Sequence, residues 1–221
     1  MTQTDFDTLV NEIKRAYAVS DIKRYADEHG YNRYSWTWGI CTRINPHSVL
    51  ILGFNPGAKD NEFHSPQVKL CNEGFLDTCN KVNGQDAGSL VRILSFLKKY
   101  PKYFPPSIIE QMGQANYCFF RSQNSGQITD HDVHLCEPIF ERFLNMAEPS
   151  MILCFSSRAR NYLIQFVEEL VKAKNTVGYQ PAKGVVSLGN KTAPVYFLPH
   201  PNYPIKTNVR EQAWAFCFGA D

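Results

Sequence analysis

The chain has no apolar run near the roughly 20 residues that cross a bilayer. Its start, Met1-Thr2-Gln3-Thr4-Asp5, lacks the basic stretch and apolar core of a secretory leader. A membrane or exported protein is therefore not expected. The reading is intracellular: cytoplasmic in a bacterium, nuclear in a eukaryote. Knuckle-type cysteine pairs are missing too. The seven cysteines, at 41, 71, 79, 118, 136, 154 and 217, are odd in number and no two are separated by only two residues. That spacing argues against zinc knuckles and against a disulfide framework. Cys118 and Cys154 sit in apolar strand-like runs and read as small buried hydrophobes in a reducing compartment. A strong charge of one sign is also lacking, since the net charge of +2 neither proves nor repels a polyanionic partner. With no repeats, low-complexity tract or second-domain linker, 221 residues at 43% apolar content imply one domain over 1–221. Residues 1–44 read as a helical and aromatic extension packed on it.

What is present is an alternation of helical and strand-like patterns. Residues 5–18 carry Phe6, Leu9, Val10, Ile13 and Tyr17 at spacings of three and four, and 21–29 form a second helix ended by Gly30. Residues 48–53 form the first core strand. The stretch 58–88 is polar with little periodicity and reads as a long loop with one short helix, of the kind that often carries function. Further helices are expected over 89–100, from Pro105-Pro106 to Met112, and from Thr129 to Met146. Ser156 or Ser157 caps another, whose face is Leu163, Phe166, Val167, Leu170 and Val171. A final helix spans 208–218. Strands are expected over 115–120 and 151–155, and 184–188 with 193–198 reads as a hairpin or two neighbouring strands around Gly189-Asn190. The fold class is α/β: a three-layer α/β/α sandwich around a central, mostly parallel, four-stranded sheet.

In such a sheet ligands bind at the carboxyl ends of the strands. Val49 to Leu52 are four consecutive aliphatic residues, as suits a strand covered on both faces, and Gly53, Pro56 and Gly57 end it. Asn55 is thus held at a strand tip. Asn116 lies near the exit of the second strand, and His200 follows the last. Separations of 61 and 84 residues rule out local sequence as the reason for the pattern, whereas a parallel sheet brings all three to one edge. Taken singly each has a plain alternative: Asn55 as a turn cap, Asn116 satisfying backbone, and His200 as a rigid corner between prolines.

Gly53-Phe54-Asn55-Pro56-Gly57 and His200-Pro201-Asn202 resemble the two signature motifs of the uracil-DNA glycosylase superfamily. The first is similar to the Gly-x-Asn-Pro-Gly form of the mismatch-specific and single-strand-selective monofunctional branches. The second is similar to a His-Pro-Ser motif, with Asn202 in place of the serine. With Asn116, the single-strand-selective type is matched best. The resemblance runs over about residues 45–218 and includes the strand-to-helix junction at 152–159, where Ser156 replaces a usual glycine.

The resemblance implies a monofunctional, metal-independent and cofactor-free DNA glycosylase, a hydrolase of base excision repair. It would act as a monomer on DNA containing a deaminated or damaged base, flipping the base and leaving an abasic site. Such cleavage produces a cationic sugar and an anionic base. His200, as imidazole or imidazolium, would stabilise the departing base, and Asn55 would orient the water, although an amide is no general base. Asn116 would read the pyrimidine edge. Backbone amides around Phe54 and Gly57 would contact the base. Gly57 stands where the family's best-known uracil enzymes have a tyrosine that excludes 5-methyl groups, so 5-substituted uracils are admissible substrates. Phe63 or Phe75 would stack on the flipped base. In the loop with Asn202, Tyr203 or Ile205 would fill the gap in the helix, with Lys206 and Arg210 near phosphates. Arg121, Arg158 and Arg160 sit beside strand ends, where a solvated surface is their plainer fate. Two other readings stay open. One is a catalytically weak or inactive member that binds nucleic acid or a free base, and the other is an unrelated α/β hydrolase.

Overall fold

The computed structural model describes residues 3–31, 36, 47–57, 75–81, 88–174, 176–188 and 191–219. Its centre is β1 (Val49–Gly53), whose side chains alternate between two apolar clusters: Leu50 and Leu52 enter one, Val49 and Ile51 the other. This period of two across a strand with both faces covered is why the aliphatic run is uninterrupted. β1 lies between β2 (Gly113–Asn116) and β3 (Met151–Cys154), and β3 pairs with β6 (Lys191–Phe197), all in parallel. Two antiparallel strands, β5 (Ala182–Leu188) and β4 (Val167–Lys172), extend the sheet to the order β2-β1-β3-β6-β5-β4.

The sheet is mixed, mostly parallel and six-stranded rather than four-stranded: the stretches 184–188 and 193–198 do form an antiparallel pair, β5 and β6, and the strand that was not expected is β4. Residues 167–171, expected on a helix, form β4. The helix capped by Ser156 is short: α7 (Ser157–Leu163) closes in a 3-10 turn at Ile164–Phe166. Leu163 is buried, but Val171 is 51% exposed, so apolar residues at helical spacing do not share one buried face. Branched Val167 and Val171 suit a strand, and pairing with β5 satisfies the backbone that a helix would otherwise have satisfied. The second strand is also shorter than expected and starts earlier, at Gly113.

Helices cover both faces. α1 (Gln3–Ala18), α2 (Asp21–Glu28), α6 (Asp130–Ala147) and α7 supply one cluster through residues such as Phe6, Ile13, Ile22, Phe140 and Leu163. The other cluster draws on α3 (Phe75–Lys81), α4 (Gly88–Leu97), α5 (Pro106–Ile109) and α8 (Thr207–Phe218), with Trp214 and Phe218 at its centre. α1 and α2, expected as an extension, are part of a layer. Asp132, fully buried, joins them to α6: one carboxylate oxygen accepts from the Asp21 and Ile22 amides at 2.8 and 3.2 Å. The other accepts from Thr129 N at 2.9 Å, completing the capping box of α6. No helix among the described residues is long and apolar enough to cross a membrane.

Candidate functional site

The carboxyl ends of the parallel strands stay bonded after the strands end. Tyr117 N donates to Gly53 O, Cys118 N to Phe54 O, Phe155 N to Leu52 O and Leu198 N to Cys154 O, at 2.7 to 3.1 Å. The exits of β1, β2, β3 and β6 are thus tied by main chain along one edge. A cavity of about 700 Å³ opens there, lined among others by Asn55, Gly57, Asn116, Ser156, His200 and Asn202. That size lies within the roughly 300–1,000 Å³ usual for small-molecule sites. Asn55, Asn116 and His200 therefore meet in one cavity, as expected from the topology.

Asn116 is 5% exposed, and its side-chain amide makes no hydrogen bond among the described residues. A buried amide without protein partners holds two donors and an acceptor ready for a ligand. Its position depends on Gly53. A Cβ on that residue would lie 2.5 Å from Asn116 Oδ1, closer than any side chain can settle.

Asn55 is oriented by three contacts. Its Nδ2 donates to Pro56 O and Phe120 O at 3.2 Å each, and to Ser122 Oγ at 2.8 Å. Ser122 Oγ donates its own hydrogen bond to Asn124 O at 2.7 Å, so its oxygen is the acceptor for Asn55. Two carbonyls on one side identify that side as the NH2 and leave Oδ1 as the group presented away from them. A fixed acceptor of this kind can hold a water, but it cannot deprotonate one.

His200 sits exposed at the cavity mouth. Its Nδ1 accepts from the Asn202 main-chain N–H at 3.1 Å, which places the ring proton on Nε2. Partial burial, and secondarily the positive charge of Arg210, hold its pKa below the usual 6.5. The ring is therefore a neutral donor. The Asn202 side chain reaches α4, donating to Ser89 Oγ at 2.9 Å and accepting from Arg92 at 3.2 Å. A main-chain N–H fixes the imidazole, so this contact does not depend on which side chain stands at 202.

Other expected residues divide. Phe54 is 6% exposed and lies under the Arg158 guanidinium, 4.4 Å from its ring centre, with Tyr162 stacked at 6.4 Å. It borders the cavity and packs into the core. At Gly57 an added Cβ would meet nothing within 4 Å among the described residues. Tyr203 lines the cavity and is 46% exposed. Ile205 is outside the lining and Lys206 is exposed before α8. Phe63 lies outside the described residues.

Two expectations are corrected. Phe75 cannot stack on a base, because it is fully buried in the cluster beneath α3 and α4, where an aromatic residue at the start of a short helix fills the core. Arg210 is not a phosphate ligand. It is 9% exposed, and its guanidinium donates to His200 O at 2.7 Å and Tyr203 O at 3.0 Å, clamping the loop that carries His200. Arg121, Arg158 and Arg160 likewise bind carbonyls, those of Gly57, of Ser125 and Ile128, and of Gln180. Gln114 was missed. It is buried and lines the cavity, and its place two residues before Asn116 puts both on one strand face. No protein-family model matches the chain, and no curated protein matches it.

Proposed function

We propose that the protein is a monofunctional DNA glycosylase that acts as a monomer on a flipped uracil or a related deaminated base and leaves an abasic site. The observation that carries this reading is the unpartnered amide of buried Asn116, set in one cavity with the oriented Asn55 and the neutral His200. Asn116 pairs with the base edge, as a donor and an acceptor together match a pyrimidine. His200 Nε2–H points charge stabilisation at the oxygen of the departing base without first having to lose a proton. Asn55 Oδ1 holds the attacking water on a preorganised amide. The open space at Gly57 admits a substituent at the 5-position.

The test is base release from single- and double-stranded oligonucleotides bearing uracil, 5-hydroxymethyluracil, hypoxanthine or xanthine, read by alkaline cleavage. Uracil release that disappears in Asn116→Ala and His200→Ala is expected. A folded preparation that cleaves none of them rules the enzyme out.

One observation favours a second reading. Among the described residues lining the cavity none is Asp or Glu, so none of these supplies a carboxylate to activate water or face the sugar cation. A protein that binds damaged nucleic acid or free base without cleaving it fits that absence. Salt-sensitive binding with no base release would select it.

A further inference from the structure

The turn between β4 and β5 lies at the same sheet edge as the cavity. Ala182, the first residue of β5, pairs with Phe197, the last residue of β6, and with Lys172, the last of β4. The turn therefore projects beside the loop that carries His200 and Tyr203. Its outermost side chain is Val177, 82% exposed, the most exposed large apolar residue among those described. An isolated valine at a loop tip is unremarkable, but this one is held in place. Tyr179 packs edge-on against Tyr203 at 6.4 Å. Gly178, at φ +85, brings the turn to the His200 loop, where an added Cβ would lie 3.7 Å from an Ile205 methyl. Arg160 anchors the turn from below through Gln180 O at 2.6 Å. Lys172, Lys174 and Lys206 are exposed around it and form no ion pair among the described residues.

We infer that the turn between β4 and β5, through residues 173–174 and 176–181, is a second nucleic-acid contact: Val177 and Tyr203 form a paired apolar edge against the duplex beside the extruded nucleotide, and Lys172 and Lys174 meet its phosphates. The sequence pointed to Asn202, Tyr203, Ile205, Lys206 and Arg210 for this role. The inference rests on the glycosylase reading for the extruded base, and it adds a strand-contacting element from another part of the chain. Apolar side chains that enter a base step need support from behind, because unstacking costs a few kcal/mol per step. The Tyr179–Tyr203 contact gives that support by making the two loops one surface. Free lysines flanking an apolar tip supply the sequence-independent attraction.

The test uses the full chain, with Val177→Asp and Lys172→Ala/Lys174→Ala compared with the parent protein. Their exposure makes both variants compatible with folding, checked by thermal melting. Binding to uracil-bearing duplex and single-strand oligonucleotides is followed by anisotropy across a salt series, and base release is measured in parallel. Val177→Asp is expected to weaken duplex binding about tenfold while affecting the single strand less. The lysine pair is expected to lower the slope of log K against log salt by about 2 on duplex. Unchanged duplex affinity and salt slope in both variants overturn the inference even if the parent releases uracil. Salt-dependent parent binding that the variants weaken, without base release, keeps the surface and removes the enzyme. A parent that binds no nucleic acid removes both.

Discussion

Gly53 and Asn116 act as one unit, because the space a methyl group would take on the first is occupied by the carboxamide oxygen of the second. Gly53→Ala is expected to reduce uracil release at least tenfold, about 1.4 kcal/mol, while the protein stays folded. Steady-state kinetics beside a urea melt would check it, and unchanged kcat/KM would show that Asn116 does not read the base. His200 carries a pH expectation. Its pKa is depressed, so the neutral donor persists into mild acid, and the acid limb of the rate profile should fall below pH 6.5. The linked stability has the same sign. It is complete above the unfolded value near 6.5 and is lost as pH falls through the lower folded value, because only the unfolded chain takes up the proton early. A rate that rises as pH drops through 6.5 would mean that imidazolium is the working form. Asn55 and His200 were legible in sequence because each follows an apolar strand whose end is marked by glycine or proline, and Asn116 because it lies in a second strand of the same sheet. Arg210 was not. Whether an arginine on a helix faces phosphate or the carbonyls of the preceding loop is decided by tertiary folding, and the sequence looks the same in either case.

At the scale of elements, two caps carry separable predictions. Ser156 accepts from Ala159 N at 3.2 Å as the N-cap of α7. Ser156→Ala is expected to cost about 1 kcal/mol and Ser156→Gly only a few tenths, read as shifts in urea midpoint at constant slope. If glycine costs as much as alanine, the hydroxyl matters to something other than the cap. Asp132 serves two helices with one carboxylate, so Asp132→Ala strands three amide donors in the interior. A loss of about 3 kcal/mol or more is expected, with the same melt as the measure. The sequence showed the helix starting at Thr129, since Thr129 and Asp132 have the spacing of a capping box. It did not show that Asp132 also caps α2, a contact over 111 residues. The α7–β4 junction was misread for a related reason. Apolar residues at 163, 166, 167, 170 and 171 satisfy the helical period, and the register shift in β4 leaves no strand alternation to compete with it, so only the pairing with β5 reveals the strand.

For the whole molecule, the antiparallel strands β5 and β4 leave β4 as an open edge. Glu168 and Glu169 stand on it, Glu169 at φ +51, and the pairing register shifts between Glu168 and Val171. Charge and an irregular backbone both discourage a second copy from adding a strand. Glu168→Thr/Glu169→Thr is expected to produce concentration-dependent association by sedimentation velocity while the parent remains a single species. Equal behaviour of the two would leave the edge protected by the bulge alone. The same strand order bears on how the site could change. Asn116 leaves β2 and His200 leaves β6, three strand steps apart, and at about 4.8 Å per step their mounts stand roughly 14 Å from each other. That span is set by hydrogen-bond spacing that no substitution can stretch. Under the proposed function, other bases are reached by lengthening or trimming side chains on fixed posts, and Gly57, where an added Cβ would meet nothing within 4 Å among the described residues, is where such a change would begin.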